Sequence, residues 1–425
     1  MNWKKCNSLY ILNKINKIDY ILFILFHAKN CNMRLSFFVL IGFTFCLSAC
    51  KPYTSEYISI EPLGIHPNGT VYIGMESCTQ CHLDIVNAHK ETVHWLTSSK
   101  LTSIKANSLL KFKDNFFELS DQTRVNFELK GDTLFQEAFE PPYSSPFFKK
   151  PININIGSGS KIGNSFLSWE ASSLFQLQGS YYHPKSKWIN SPGYPPFFQP
   201  FRPIYPRCLE CHTTYSQSEN WQSNIPTNRY NKENIVFGID CQRCHGDVID
   251  HVKYHRENPM DSIGRKIISY STFTQKQRID MCALCHSGVG KNINQPAFSF
   301  RPGDDLNLFL AIDTSKDPDV HSNQVSLLKN SSCYINSKAM DCMTCHDPHS
   351  NEKNETLKFN AYCIQCHSSP KHNNFSSEGY ENCISCHMPL KASNLMKIQY
   401  NKDSISPVWV RTHRIGIYSE GELEE

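Results

Sequence analysis

Glycine is scarce in this chain, at 19 of 425 positions, and apolar runs are short. The one glycine cluster, Gly157-Ser-Gly-Ser160, fits neither the dinucleotide nor the P-loop fingerprint, so a turn is expected there rather than a phosphate cradle. The apolar stretch Leu35–Phe45 falls short of the ~20 residues that a membrane span needs. An excess of one charge is also missing: 43 Lys and Arg stand against 39 Asp and Glu. Even that small positive balance sits at the front. Residues 1–49 hold six of the basic side chains and one acid, leaving 37 basic and 38 acidic ones in the remainder. Nucleic-acid binding, which needs a basic patch, has no support.

What is abundant is cysteine and histidine, 19 and 18 residues. Fourteen of the cysteines fall into seven copies of Cys-x-x-Cys-His: Cys78/Cys81/His82, Cys208/Cys211/His212, Cys241/Cys244/His245, Cys282/Cys285/His286, Cys342/Cys345/His346, Cys363/Cys366/His367 and Cys383/Cys386/His387. Chance predicts roughly 0.04 copies from these residue frequencies, and the motif is the attachment site of a c-type haem. Two thiols add across the vinyl groups, and the adjacent His becomes an axial iron ligand. Zinc ribbons and disulfide frameworks use paired cysteines too, but neither needs a His after every pair. Seven covalent haems and seven proximal histidines are therefore expected.

Covalent haem requires maturation outside the cytoplasm. Met33-Arg34, the apolar Leu35–Phe45 and Leu47-Ser-Ala-Cys50 read as a secretory signal ending in a lipobox, with Cys50 lipidated. Translation is expected to start at Met33, since a complete signal begins there. The expected product is exported and lipid-anchored, periplasm-facing or on the outer membrane of a bacterium. The organisation expected is an upstream extension with signal over 1–49, a tether over 50–75, a first haem segment over 76–101, a β-rich haem-free insert with a Pro-rich connector over 102–205, and a six-haem region over 206–425. Within the insert, Phe112–Phe117, Thr123–Leu129 and Thr133–Phe139 read as a β-meander, with Ile152–Ile156 and Ser173–Tyr181 as further strands. A helix is expected over Ile85–Trp95. From Arg207 on, the chain per haem is too thin for an ordinary core. The fold class expected is a mainly α-helical and irregular cytochrome packed around its haems, with the β-rich insert.

A six-coordinate haem needs a second ligand. The seven distal candidates are His94, His251, His255, His321, His349, His372 and His413, with His89 and His183 in reserve and His66 the weakest. His251 and His255 share one helix face. His349 stands three residues after His346, too few to carry the chain round a pinned porphyrin, so it must serve a different haem. Cys333 is left over, expected as a buried free thiol.

Gly238-Ile-Asp-Cys-Gln-Arg-Cys-His-Gly246, Met340-Asp-Cys-Met-Thr-Cys-His-Asp-Pro-His349, Asn382-Cys-Ile-Ser-Cys-His-Met-Pro389 and His94-Trp95 after the first box resemble the multihaem cytochrome c superfamily. The likeness covers about residues 70–100 and 205–415. It is similar to the tetrahaem cytochromes that accept electrons from hydroxylamine oxidoreductase, and to pentahaem and octahaem relatives. The resemblance implies closely stacked haem pairs, mostly with bis-His ligation. The insert departs from the small tetrahaem proteins, and without a Cys-x-x-Cys-Lys box the Lys-ligated catalytic haem of pentahaem nitrite reductases is unmatched. The function expected is electron transfer between redox partners, such as other cytochromes or a membrane quinol-oxidising complex. The alternatives are a reductase or oxidase of a small nitrogen or sulfur compound at one five-coordinate haem, with His183, Tyr181, Tyr182 and Arg202 as its site residues, and a lipoprotein whose haems only stabilise a binding module.

Overall fold

The structure, a computed structural model, describes residues 59–110, 114–157, 159, 161–220, 227–288, 295–311, 318–352, 355–367, 382–419 and 421. Met33, the signal segment, the lipidation site Cys50 and the distal candidate His372 lie outside the described residues. Among the described residues no helix is long and apolar enough to cross a membrane.

The segment from Gly64 to Met75, expected as tether, is built into the body. β1 (Gly64–Ile65) and β2 (Val71–Tyr72) pair antiparallel. The apolar Tyr72, Ile73 and Met75 are buried, and Tyr72 stacks on Tyr215 with ring centroids 4.6 Å apart. The first box follows in the helix Glu76–Lys90, which kinks at His82. The expected helix thus begins nine residues earlier and ends before His94.

β3 (Ser98–Lys100) leads into the insert. There β4 (Phe116–Ser120), β5 (Thr123–Lys130), β6 (Thr133–Phe139) and β7 (Phe148–Pro151) form a four-stranded antiparallel meander. β8 (Ile154–Gly157), β9 (Gly163–Glu170), β10 (Ser173–Tyr182), β11 (Lys187–Asn190) and β12 (Arg202–Pro203) belong to a second, larger sheet that also takes in β3. Side chains alternate between the two faces of each strand. Accordingly Phe117, Leu119, Val125, Phe127 and Leu134 of the meander meet Phe166, Leu177, Tyr181 and Trp188 of the larger sheet in one apolar core. Phe127 lies flat on Trp188, centroids 3.5 Å apart and planes 10° apart. Gly179 makes room for this pair, because a Cβ there would overlap the Phe127 ring.

Beyond the insert the chain holds more strand than expected. β13 (Thr213–Ser218) and β14 (Tyr230–Phe237) form a hairpin between the second and third boxes. The long hairpin of β15 (Leu390–Asn401) and β16 (Ser404–Arg411) extends the insert's larger sheet at its β11 edge. Lys, Ser, Asn and Gln interrupt the apolar pattern of β15, which hides it from a period-two reading. Its register is held by Gln399, whose side chain bonds that of Asn190 at 2.8 Å. The C-terminal region is therefore not mainly irregular, and the sheet layer is shared between insert and tail. Between these hairpins lie short helices, among them Cys241–His245, Ile249–Glu257, Gln275–His286, Thr356–Cys366 and Cys383–His387.

Candidate haem-binding site

Each box sits on a helical turn. In a helix, residues i and i+3 share a face, so both thiols of a box point the same way. The helices tend to stop at the box histidine: Cys241–His245, Gln275–His286 and Cys383–His387 end on it, and the first box's helix loses helical geometry at His82 (φ −120°, ψ 39°). The imidazole thus leaves the turn beside its two cysteines. Local sequence chemistry sets these turns. Thr274 and Gln277 form a capping box ahead of the fourth Cys-x-x-Cys-His, which satisfies backbone N–H groups the helix cannot. Asp240 and Asp341 cap the turns of the third and fifth by accepting from the N–H of Gln242 and Met343 at 2.9 Å each.

The fourteen box cysteines are free thiols and not disulfides, which is the state that attachment needs. Their settings differ from box to box. In the first, Cys81 is exposed beside a half-buried Cys78, whereas in the seventh Cys386 and Cys383 are both half-buried. The thioether bonds expected at Cys81 and Cys386, as at the other twelve, belong to the reading proposed below.

The structure then brings four box histidines against four distal candidates. His82 faces His251 with ring centroids 6.4 Å apart, His245 faces His349 at 6.2 Å, His286 faces His94 at 6.2 Å and His346 faces His413 at 6.0 Å. A metal–imidazole bond of about 2 Å plus about 1 Å from nitrogen to ring centre, taken on both sides, sums to about 6 Å. The observed spacings suit one iron between each pair. The ring planes are near parallel in three pairs (16°, 17° and 28°) and near perpendicular, at 77°, in His94–His286. His349 meets the third box and not its neighbour His346.

Electrostatics and second contacts favour ligation. Burial pushes His94, His413 and His212 down to about 4, so each is a neutral imidazole, the metal-binding form, at neutral pH. The Nδ1–H of His251 donates to the Arg265 carbonyl at 2.7 Å, that of His387 to the Gly416 carbonyl at 2.7 Å and that of His346 to Glu352 Oε2 at 2.8 Å. Such bonds fix the ring and leave Nε2 for a metal. His212 Nδ1 meets the Thr97 hydroxyl at 2.8 Å.

The surroundings fit a bulky acidic cofactor. Burial raises the Cys244 thiol and lowers the His286 imidazole, yet both residues are exposed. Beside the third box, Arg243 is buried with its Nε unpartnered among the described residues. Its Nη2 reaches the Glu210 carbonyl at 3.0 Å and the Glu210 carboxylate at 3.7 Å, and Arg207 takes that same carboxylate at 2.8 Å. Two buried guanidiniums share one carboxylate, so a haem propionate is a fitting further partner.

The other predicted residues fall elsewhere. His255 lies beside His251, centroids 4.6 Å apart, and its Nε2 accepts from the Arg265 N–H at 3.4 Å. His321 sits on the loop whose Asp319 anchors Ser393 of β15. His367 is exposed. Both nitrogens of the reserve His89 are taken, by the carbonyls of Ile239 at 2.8 Å and Pro348 at 3.2 Å; it is a tie between the first, third and fifth box segments, a role the sequence did not signal. His66 is buried with Nδ1 accepting from the Asn68 N–H at 3.1 Å. Tyr181 and His183 touch at 5.0 Å, but Tyr182 faces Tyr400 and Arg202 stacks on Tyr194 at 3.9 Å, so those four residues do not converge. Cys333 is half-buried rather than buried, near Cys345, Cys363 and Cys366.

Comparison with known proteins bears on the boxes. Residues 336–372 match the doubled CXXCH motif family, and residues 200–246 match the family of cytochrome c554 and c-prime. Over 181 residues the chain is 23% identical to multiheme cytochrome MtrA of Shewanella baltica (strain OS185), a stretch covering 38% of this chain and 51% of that protein. The chain thus spans about half the length of that curated relative. The crystal structure of outer cell wall cytochrome OcwA aligns with TM-score 0.48 and 17% identity over 77% of this chain and 79% of that one. Repeated attachment turns and two motif families at the boxes support one reading, that of a multihaem c-type cytochrome with haem c as its cofactor.

Proposed function

We propose that this chain is an exported electron carrier, lipid-anchored at Cys50, that holds seven haems c and passes single electrons between redox proteins. The observation that carries the reading is the set of four facing histidine pairs at 6.0–6.4 Å. Haem c supplies a one-electron Fe(III)/Fe(II) couple. The chain's residues supply everything else. The paired thiols of each box, Cys81 and Cys386 included, would hold the haem through its vinyl groups, and the box histidine would ligate its iron. His94, His251, His349 and His413 would supply the second ligand of four irons, which would leave no coordination site for a substrate at those four boxes. Of the other distal candidates, His255, His321 and His372 remain for the second, sixth and seventh boxes. Redox proteins, other cytochromes or a quinol-oxidising membrane complex are the partners that fit such a carrier.

Substituting His349 tests the reading. His349→Ala in the mature protein is expected to leave haem attached at all boxes by mass. It should convert one low-spin ferric EPR signal to high-spin, at the haem of Cys241 and Cys244. A spectrum that stays wholly low-spin, or a change confined to the haem of Cys342 and Cys345, would overturn the ligand assignment. A wild-type ferric protein that binds cyanide or nitrite at a high-spin haem would overturn the pure carrier.

A further inference from the structure

We propose that the attachment boxes meet in the order first–third–fourth–fifth–sixth–seventh, with the second docked beside the fourth as a side branch. The inference rests on the reading of the chain as an electron carrier and gives that carrier three ends instead of two. Sequence order alone would place the second box between the first and the third.

The contacts between boxes carry the order. Cys78 of the first box and Cys241 of the third lie side by side. There Gln242 Oε1 also accepts from the N–H groups of Ile73 and Gly74 at 2.7 and 3.2 Å. The fourth and fifth boxes meet through Cys282 and Cys342, braced by Arg278 Nε donating to Asp341 Oδ2 at 2.5 Å. The sixth and seventh meet through Cys363 and Cys383, where the Cys383 N–H donates to Asn360 Oδ1 at 3.1 Å. These pairs are linked where His346 of the fifth box packs on Phe359 of the sixth-box helix, ring centroids 5.3 Å apart, and where Cys244 of the third box approaches Cys282 of the fourth.

The second box stands apart from this row. Its Cys211 lies beside Cys285 of the fourth, and its Arg207 donates to the Leu284 carbonyl at 2.5 Å. Arg243 of the third box leans on Glu210 from the other side at 3.0 Å, so the branch docks at the third–fourth junction. With haem attached, each box sulfur would be bonded to a vinyl-bearing ring edge. A thiol–thiol contact therefore sets two ring edges side by side, where electron tunnelling is fastest. The axial histidines agree with the same cluster, since His251 after the third box faces the first, His349 after the fifth faces the third, and His94 after the first faces the fourth. Each hop moves one electron, the donor Fe(II) becoming Fe(III) and the acceptor Fe(III) becoming Fe(II), with a reduced redox protein as source and an oxidised one as sink.

Two holoprotein variants, Cys282→Ala/Cys285→Ala and Cys208→Ala/Cys211→Ala, test the order by reduction with less than one electron per protein and spectroscopic tracking of the redistribution. Loss of the fourth haem is expected to abolish redistribution between the first and third haems on one side and the fifth to seventh on the other. Loss of the second should leave it intact. The opposite pattern, or equal loss in both, overturns the proposal. Should a double variant fail to fold, His94→Met keeps the covalent attachment and raises the potential of the fourth haem. Selective reduction of that haem is then expected to sharpen the EPR signals of the second, third and fifth haems, as a paramagnetic neighbour is removed. Sharpening at the first or seventh instead overturns the order. If the sharpening pattern holds while the wild type shows no redistribution at all, the carrier reading fails and the order stands.

Discussion

The sheet region and the box segments of this molecule are held together by different things. In the insert, two sheets bury Phe127, Phe166, Leu177 and Trp188 between them, a core made of the chain's own side chains. The box segments are thin by comparison. The helices Ile249–Glu257, Ser332–Asn336 and Cys383–His387 bury no residue at all, and Leu357 and Ile364 of the sixth-box helix are 73% and 48% exposed. Short helices are marginal without a packed apolar face, and here the porphyrins are the fitting surface. Haem attachment is therefore expected to be part of folding for one region and incidental for the other. Ties across the boundary, such as Ser98 Oγ donating to the His212 carbonyl at 2.5 Å and accepting from the Gly238 N–H at 2.9 Å, join the two regions by hydrogen bonds.

The largest expected effect comes from withholding haem. Produced without attachment machinery, the chain should lose protease protection across residues 241–387 while residues 116–190 stay protected. Equal loss in both regions, read by limited proteolysis with mass spectrometry, would break the comparison. Next in size is Trp188→Ala. It removes a fully packed indole and should cost about 3–5 kcal/mol, as large-to-small core changes do. Denaturant unfolding should register that loss while the haem absorption and low-spin EPR signals stay as in the wild type. A changed haem spectrum would mean that the sheet core positions the boxes directly.

How far the sequence foretold this division follows from the range of the interactions. A haem box is complete within five residues, so all seven were legible without any fold. The meander strands were legible because β5 and β6 alternate in period two and end at polar turns. The partners of the distal candidates are long-range: nothing near His94 in sequence points to His286, the ring it faces. His349 was partly legible, since chain length alone forbids it its own haem. The β15–β16 hairpin escaped because its polar residues are buried by pairing with the insert rather than by a local apolar pattern. The tether was misread from Gly64 onward because its prolines and glycines outweighed the short apolar run Val71-Tyr-Ile73, which packs on Tyr215.

Asp240 lies beside the third box, and there an effect of intermediate size is expected. Burial raises its carboxyl from 3.8 to about 6. A folded-state value above the unfolded one means that ionising this group favours unfolding. Its penalty is absent below about pH 4, grows as pH rises towards 6 and is complete at neutral pH, where it amounts to about 3 kcal/mol. Asp240→Asn keeps a cap for the Gln242 N–H and removes the charge. The variant should flatten the fall in stability between about pH 4 and pH 7. A wild-type stability that is already flat over that interval, measured by chemical unfolding, would show that the holoprotein neutralises Asp240 by other means.

The smallest effect is expected at Thr97, where the sheet region touches a ligand. Its hydroxyl lies 2.8 Å from His212 Nδ1, and a bond at that nitrogen sets ring orientation and ligand basicity. Thr97→Val keeps the shape and removes the partner. It should lower stability by only about 1 kcal/mol. A less basic imidazole stabilises Fe(III) less, so the midpoint potential of the second haem should rise while the other potentials hold. A potentiometric titration that shows no haem shifted would mean that the sheet region supports the second box sterically and nothing more. A single upward shift would mark Thr97, at the entry to β3, as a residue that tunes the second haem.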